Sequence, residues 1–169
     1  GSTSVYEVPI GDGVNYRPIY ITPSATTFTV YTTEFYNTTY VSTICGLPIN
    51  HIGIESWWDV DKSAGGSDCY IGINWDANSG VNVPADIILC YYNTATSEWD
   101  DLLNNPATLS NGSGSATATD GRITSNTPHS NFNGNNAVFN LGSSSCNNPL
   151  NSSNATIVVD FTQTNPTCN

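Results

Sequence analysis

The sequence predicts an all-β fold in which two antiparallel sheets pack face to face as a β-sandwich. Short runs that alternate apolar and polar residues recur along the chain, and this is the period of a strand with one buried face. Turn-forming groups such as Asn78-Ser79-Gly80 and Asp120-Gly121 separate the runs. Only 10% of the residues are charged. The polar surface must therefore come from Asn, Ser and Thr, a composition that favours strands and turns over helices.

Three runs are expected to form strands in the first half of the chain. Residues 27–31 alternate strictly, and residues 69–75 place every second apolar side chain on one face. Residues 51–60 contain the pair Trp57-Trp58. Neighbouring residues of a strand face opposite sides, so only one of the two indoles is expected to enter the core.

Three further strands are expected in the second half. Residues 86–92 are almost wholly apolar, as in a central strand, and residues 137–141 and 157–161 alternate. Segment 104–121 is rich in Ser, Asn, Gly and Ala and is expected to be a mobile loop or hairpin, and 142–155 is expected to be a linker to the last strand. The expected strand arrangement is immunoglobulin-like or jelly-roll-like.

The length suits a single domain over residues 1–169, interpreted as a module excised from a larger exported protein. Gly1-Ser2 is interpreted as a cloning scar. No apolar run approaches the roughly 18 residues of a membrane span, so membrane insertion is not expected.

The charge balance argues against nucleic acid as a partner. The formal net charge is −11, and the Lys and Arg residues are three: Arg17, Lys62 and Arg122. Binding to a phosphate backbone draws on many Lys and Arg contacts, which this chain cannot supply. The acidity favours cations as ligands, or it serves only to keep a secreted protein soluble.

Five cysteines indicate disulfides in an oxidising compartment, although their spacing does not fix the pairing. The pairing expected is Cys45–Cys69 and Cys146–Cys168, since these four residues flank loops. Cys90 lies inside an apolar run, where a free thiol behaves as a small buried hydrophobe, and it is expected to be unpaired.

Four aspartates are candidates for irregular calcium sites between strands, because calcium prefers clustered oxygen ligands from loops. They are Asp59, Asp61, Asp68 and Asp76. They fall in two groups, Asp59-Val60-Asp61 with Asp68, and Asn74-Trp75-Asp76 with Asn78. The spacing does not match an EF-hand loop. The alternative is that these residues are solvated turn positions with no ion.

A stretch of aromatic residues among Asn and Thr is the candidate recognition surface. It includes Tyr31, Tyr36 and Tyr40, and Trp57 is added as a separate candidate. Amphipathic rings beside hydrogen-bonding groups suit sugar binding. The alternative for the remaining tryptophans, Trp58, Trp75 and Trp99, is that they fill the core.

Catalysis is not expected. The two histidines, His51 and His129, lie in an apolar strand and a polar loop, and no G-x-S-x-G elbow places a nucleophile near a base. Paired carboxylates for glycoside hydrolysis cannot be recognised from carboxylates scattered along a sequence.

The order of several motifs resembles a domain near the C-termini of secreted surface proteins of Bacteroidetes. The most specific motif is Pro-Ile-Gly-Asp-Gly-Val-Asn-Tyr-Arg-Pro-Ile at 9–19, followed by Trp57-Trp58-Asp59 and by Phe-Asn-Leu-Gly-Ser at 139–143. The resemblance covers roughly residues 8–145 and ends after Ser143, where a Cys-containing segment replaces the usual sorting tail. It implies a non-catalytic module of an adhesin or exported protein that uses type IX secretion.

The expected function is therefore that of a non-catalytic module, secreted or on the cell surface, in adhesion or as a structural unit. Its expected partners are a surface glycan or another cell-surface protein, together with neighbouring domains of the parent chain. The alternative is a carbohydrate-binding module attached to a secreted enzyme. A third Trp or Tyr exposed in a shallow groove would favour carbohydrate binding, and a flat Asn- and Thr-rich surface without a groove would favour adhesion.

Overall fold

The computed structural model describes residues 1–132, 136–145, 148 and 150 and confirms the predicted antiparallel β-sandwich. One sheet has four strands in the order β1-β2-β6-β9: Tyr6–Val8, Ile19–Pro23, Cys69–Asp76 and Asp120–Thr124. The other sheet has six strands. Five of them follow the order β3-β5-β10-β7-β8: Thr29–Tyr36, Trp57–Gly65, Asn136–Ser143, Ile87–Asn93 and Glu98–Asp101. The sixth strand, β4 (His51–Ile52), also pairs with β10.

A short 3-10 helix, Pro84–Asp86, leads into β7. Within the described part of the chain, no helix is long and apolar enough to cross a membrane.

The main core lies between the two sheets. It joins Ile71 and Ile73 of the four-stranded sheet to Trp58, Leu89 and Phe139 of the six-stranded sheet, and all five are almost fully buried. These residues occupy alternate positions of their strands, as one buried face requires. Burial of such side chains stabilises a fold by about 1.5–3 kcal/mol each.

A second apolar cluster covers the opposite face of the six-stranded sheet, and we call it the outer-face cluster. Ile88 and Cys90 alternate with the core residues Ile87 and Leu89, so they point away from the main core. The segment 40–52 packs over them, so that the cluster comprises Ile49, Ile52, Ile88, Cys90, Trp99 and Val138, flanked by Tyr40, Cys45, Trp57 and Tyr92. The six-stranded sheet is therefore buried on both faces over part of its area.

Several sequence predictions of strands are confirmed. The strand predicted at 69–75 is β6, that at 86–92 is β7, and that at 137–141 lies within β10. The run at 51–60 was predicted as one strand, but the chain forms β4 and β5 with a break at residues 53–56. There the N–H of Gly53 still bonds the carbonyl of Leu141 (2.8 Å), but its own carbonyl accepts from the buried side-chain amide of Asn140 (2.7 Å) in place of a backbone partner.

Other strands differ from the prediction. The strand expected at 27–31 instead begins at Thr29 and continues to Tyr36, through the aromatic stretch that was expected to be a surface segment. Strands β1, β2, β8 and β9 were not predicted, since each has five residues or fewer and offers too short a run to show a period of two. The strand expected at 157–161 lies outside the described residues.

The predicted disulfide Cys45–Cys69 is wrong, because both residues are free thiols. Cys45 packs in the outer-face cluster, whereas Cys69 lies in the core between the sheets. The six-stranded sheet therefore separates two residues whose Cα atoms would have to lie within about 7 Å. Cys90 is free and buried, as predicted. The other predicted bridge, Cys146–Cys168, lies outside the described residues.

Candidate functional site

A cavity of about 240 Å³ opens at one end of the sandwich. It forms where the hairpin between β1 and β2, the end of β3, the connection 53–56 and the turn after β6 meet. Neutral polar side chains line much of it: Asn15, Asn37, Ser56, Asn78, Ser79 and Asn140. The apolar lining comes from Phe35, Trp58, Leu141 and Leu150, and the charged lining residues are Arg17 and Glu55.

The hairpin between β1 and β2 supplies one wall. Gly11 and Tyr16 form an antiparallel bridge across it, and Gly13 has a φ of 85°, a conformation that side chains disfavour. Inside the loop, Oδ1 of Asp12 accepts from the backbone N–H groups of Asn15 (2.7 Å) and Val14 (3.0 Å). An aspartate that bonds its own backbone in this way stabilises a tight turn.

Asp12 also fixes two of the amides that face the cavity. Its Oδ2 accepts from Nδ2 of Asn15 (3.0 Å) and from Nδ2 of Asn37 (2.7 Å), which comes just after β3. The backbone N–H groups of Asn15 and Val14, followed by the Asn15 side chain, lower the pKa of Asp12 to about 2. The carboxylate is therefore ionised at neutral pH and joins the hairpin to the end of β3.

Arg17 lies beneath the cavity and is almost wholly buried. Its Nη1 forms an ion pair with Oδ2 of Asp76 at 2.5 Å, and its carbonyl oxygen accepts from Nε1 of Trp58 at 3.0 Å. Burial acts to raise the pKa of Asp76, but the hydrogen bond and charge of Arg17, with the Asn78 N–H, outweigh it and leave the pKa below its ordinary value. The guanidinium charge is thus matched inside the protein.

Asp76 also orders the turn after β6. Its Oδ1 accepts from the backbone N–H of Asn78 (2.8 Å) and from Oγ of Ser79 (3.1 Å). These bonds occupy the carboxylate and leave the Asn78 side chain at the cavity. Asp76 therefore both balances the charge of Arg17 and orders the turn after β6 that forms part of the cavity lining.

The back of the cavity is rigid. Asn140 is fully buried, donates to the carbonyl of Gly53 (2.7 Å), and accepts at Oδ1 from the backbone N–H of Leu141 (2.7 Å). Phe35 packs against Trp58 with ring centroids 5.3 Å apart. Satisfied buried amides and packed rings hold a surface in one conformation.

Three lining side chains have free hydrogen-bonding groups. Within the part of the chain that the structure describes, the side chains of Glu55, Ser56 and Asn78 make no hydrogen bond or ion pair. The cavity thus offers a carboxylate, a hydroxyl and an amide beside the half-buried ring of Phe35, which packs on the buried indole of Trp58. This combination can bind a small ligand that has several hydroxyl groups and one apolar face.

The aromatic residues predicted to bind a ligand lie elsewhere, on the outer side of the six-stranded sheet. Tyr36 stacks on its cross-strand neighbour Trp57 with centroids 3.9 Å apart. Tyr40 meets Trp57, Tyr92 and Trp99 edge-on at 4.8–5.2 Å. The structure therefore brings Tyr36, Tyr40 and Trp57 together, but their rings contact one another and hold the segment 40–52 to the sheet.

Tyr31 does not join this group. It packs against the core between the sheets, and its hydroxyl donates to the carbonyl of Ser67 at 2.5 Å. Burial raises the pKa of Tyr31, so the phenol stays protonated. Its position indicates a packing role.

The four aspartates predicted to bind calcium do not form one site. Asp76 pairs with Arg17, and Asp68 pairs with Lys62 at 3.4 Å. Asp59 lies on β5 with Asp61 two residues further, and both oxygens of Asp59 accept from Nδ2 of Asn136 at 2.6 Å. Among the described residues, no group of three His, Cys, Asp or Glu side chains is arranged to hold a metal ion.

Both histidines lie away from the cavity lining. The ring of His129 packs against Tyr91, Phe132 and Phe139 at centroid distances of 5.0–5.2 Å. Burial lowers the pKa of His129 and of His51 and so favours their neutral forms. His129 was expected in a polar loop, but its backbone pairs with Cys69 and its ring enters the core.

The cavity itself was not predicted from the sequence. Its residues come from six separated parts of the chain, and each fits an ordinary turn or strand position when its own segment is considered alone. The one available signal was the motif at 9–19, which contains Asp12, Asn15 and Arg17. Comparisons with protein-family models, with curated proteins and with solved structures found no match to this chain.

Proposed function

We propose that this domain is a non-catalytic recognition module that binds one sugar unit of a glycan in the end cavity. The observation that carries the proposal is the lining: neutral amide and hydroxyl side chains, among them Ser56 and Asn78 with free groups, together with the half-buried ring of Phe35, which packs on the buried indole of Trp58. Sugars present hydroxyl groups around their rim and C–H groups on their faces. Amide and hydroxyl side chains can form hydrogen bonds with the sugar hydroxyl groups, and an aromatic ring can pack against the C–H groups of a sugar face.

The size of the cavity supports a single small ring as the ligand. A volume of 240 Å³ corresponds to about eight water molecules at roughly 30 Å³ each. It lies just below the range of about 300–1,000 Å³ that is typical of sites for drug-sized ligands. A chain end or one exposed unit of a glycan fits this volume, whereas an extended oligosaccharide would continue across the surface outside.

The lining also favours binding over hydrolysis. Among the described side chains that line the cavity, Glu55 is the one carboxylate. Glycoside hydrolysis uses a pair of carboxyl groups on either side of the scissile bond. Asp76 lies close by, but it is committed to Arg17 and to the turn after β6.

We place this activity in an exported bacterial protein, secreted or on the cell surface, where the module serves adhesion through a surface glycan. The resemblance of the motif at 9–19 to modules of Bacteroidetes surface proteins supports that location. The same cavity would equally serve a carbohydrate-binding module attached to a secreted enzyme. The two roles differ in the neighbouring domains of the parent chain, and both depend on sugar binding.

The experiment is an NMR titration of the purified domain with monosaccharides, guided by a glycan array. We compare the wild type with Ser56→Ala/Asn78→Ala, which removes two side chains that make no hydrogen bonds in the described chain. The matched control is Asn126→Ala, an exposed amide beyond the far end of β9. We expect shifts centred on the cavity in the wild type and the control, and at least tenfold weaker binding in the double variant. Undiminished binding by a folded double variant would refute the site.

A further inference from the structure

Resting on the proposed function, we propose that the cavity selects a cationic amino sugar over neutral and acidic sugars, and that Glu55 is the residue that determines this specificity. The proposal depends on which charges around the cavity are matched and which are free.

The positive charge under the cavity is already matched. Arg17 is almost wholly buried and its charge is matched by Asp76 at 2.5 Å, so a ligand carboxylate would have to share the guanidinium with an existing carboxylate and be repelled by it. The other two cationic side chains of the protein are also engaged, Lys62 with Asp68 and Arg122 over the ring of Tyr20. An acidic sugar would therefore find no cation at this site whose charge is unmatched.

The negative charge exceeds the positive charge at the same place. Asp12 lies directly behind the lining residues Asn15 and Asn37, and Glu55 lies on the lining itself. Together with Asp76, these make three carboxylates against the one guanidinium of Arg17, which leaves two net negative charges. A cavity edged by low-dielectric protein concentrates such a field on its ligand.

Glu55 is the carboxylate that a ligand can reach. Its side chain is exposed and makes no ion pair or hydrogen bond within the described residues, whereas Asp12 and Asp76 each accept several bonds. A ligand ammonium has three donors and no acceptor. One donor would bond Glu55, while oxygens of Ser56 and Asn78 on the same cavity could accept the others.

The expected preference is modest, because Glu55 is exposed to solvent. Exposed ion pairs contribute about 0.2–1 kcal/mol, which corresponds to an affinity ratio of up to about fivefold. Such a pair is screened by salt, since the Debye length falls from about 10 Å at 0.1 M to about 3 Å at 1 M.

The test is a set of NMR titrations of the intact domain at about pH 6, where a primary amine is protonated. The ligands are glucosamine, N-acetylglucosamine and glucuronate, and the proteins are the wild type and Glu55→Gln. We expect the wild type to bind glucosamine about three- to fivefold more tightly than N-acetylglucosamine, and glucuronate most weakly. The preference should vanish in Glu55→Gln, which keeps the shape of the side chain, and it should shrink in 1 M salt.

The outcomes separate the two proposals. If neutral and cationic sugars bind equally, or if Glu55→Gln keeps the preference, the charge selectivity is wrong and sugar binding stands. If none of the three sugars shifts the cavity resonances, the proposed function itself fails. If Nα-acetyl-lysine binds as tightly as glucosamine, the site recognises amines in general, and the assignment to amino sugars is overturned.

Discussion

Replacing Asp76 with Asn removes the charge partner of Arg17 while it keeps the size of the side chain. The guanidinium would then lie beneath the cavity with its side chain 8% exposed and without a counter-charge. Its burial is enforced by the core around it, because its carbonyl also anchors the indole of Trp58. We therefore expect Asp76→Asn to lower the free energy of unfolding.

The magnitude follows from the unequal exposure of the two partners. Removing one partner of a fully buried pair costs about 3–5 kcal/mol, whereas a solvent-exposed pair contributes about 0.2–1 kcal/mol. The Arg17 side chain is buried like a member of a fully buried pair, whereas the Asp76 side chain, which is 41% exposed, is closer to a member of a solvent-exposed pair. We expect a loss of about 2 kcal/mol for Asp76→Asn.

Removing the other partner of the ion pair, Arg17, should lower the free energy of unfolding by less. Arg17→Met leaves Asp76 with water and with its bonds from the Asn78 N–H (2.8 Å) and Ser79 Oγ (3.1 Å). Met also fills part of the volume of the Arg side chain with apolar atoms. We expect Arg17→Met to lower the free energy of unfolding by about 1 kcal/mol. The double variant Arg17→Met/Asp76→Asn should have nearly the same stability as Arg17→Met, because it no longer contains an uncompensated buried charge.

The stabilisation that the ion pair between Arg17 and Asp76 provides should decrease at acidic pH. The pKa of Asp76 is lower in the folded protein than its ordinary value, so the folded state binds its proton more weakly than the unfolded state. The stabilisation is therefore complete above the ordinary carboxyl pKa of about 3.9 and is lost as the pH falls through the lower folded value. The difference between wild type and Asp76→Asn should be constant from about pH 7 to 5 and shrink below about pH 4.

The assay is urea unfolding followed by tryptophan fluorescence, for the wild type, the two single variants and the double variant, at pH 7 and pH 3. The slope with urea should not change, so that the midpoints report stability. The reasoning would be refuted if Arg17→Met cost more than Asp76→Asn, or if the loss in Asp76→Asn were as large at pH 3 as at pH 7.

Two further predictions concern packing on the outer side of the six-stranded sheet. A Cβ at Gly142 would lie 2.4 Å from Sγ of Cys90, so Gly142→Ala should cost about 1–3 kcal/mol by overpacking. Adding Cys90→Ala should restore part of that loss in urea unfolding, and strictly additive losses would contradict the contact. Tyr40→Ala should cost about 2 kcal/mol, because its ring contacts three others, and Tyr36→Ala, which loses one stacked ring, should cost about half as much. Equal thermal shifts for these two variants would argue against Tyr40 as the centre of the cluster.

The local sequence pattern was sufficient to predict which of the two faces of a strand a side chain occupies. The rule that neighbours point in opposite directions predicted that one indole of the pair at 57–58 enters the core, and Trp58 is the buried one. The apolar run around Cys90 correctly predicted a buried free thiol. The failure at 51–60 shows the limit, because at the break the carbonyl of Gly53 is bonded by the side chain of Asn140, which lies far along the chain.

For the aromatic residues, the structure adds contacts that the sequence pattern did not indicate. Tyr36 and Tyr40 were expected on a recognition surface because Asn and Thr surround them in the sequence. In the structure both side chains are half-buried: Tyr40 contacts Trp57, Tyr92 and Trp99, and Tyr36 stacks on Trp57. Ligand binding by these residues stays a prediction. A polar neighbourhood in sequence does not indicate which aromatic side chains from distant segments will meet in space.

The sequence by itself determined the all-β class, the strands β6, β7 and β10, the free state of Cys90 and the acidic balance, since each follows from composition or from a period of two residues. Only the tertiary structure decided that Cys45 and Cys69 lie on opposite sides of a sheet, and that Asp12 and Asp76 order the walls of one cavity. Those facts depend on contacts between distant parts of the chain. Which loops meet at the end of a sandwich is fixed by strand order and register, and local spacing carries no record of either.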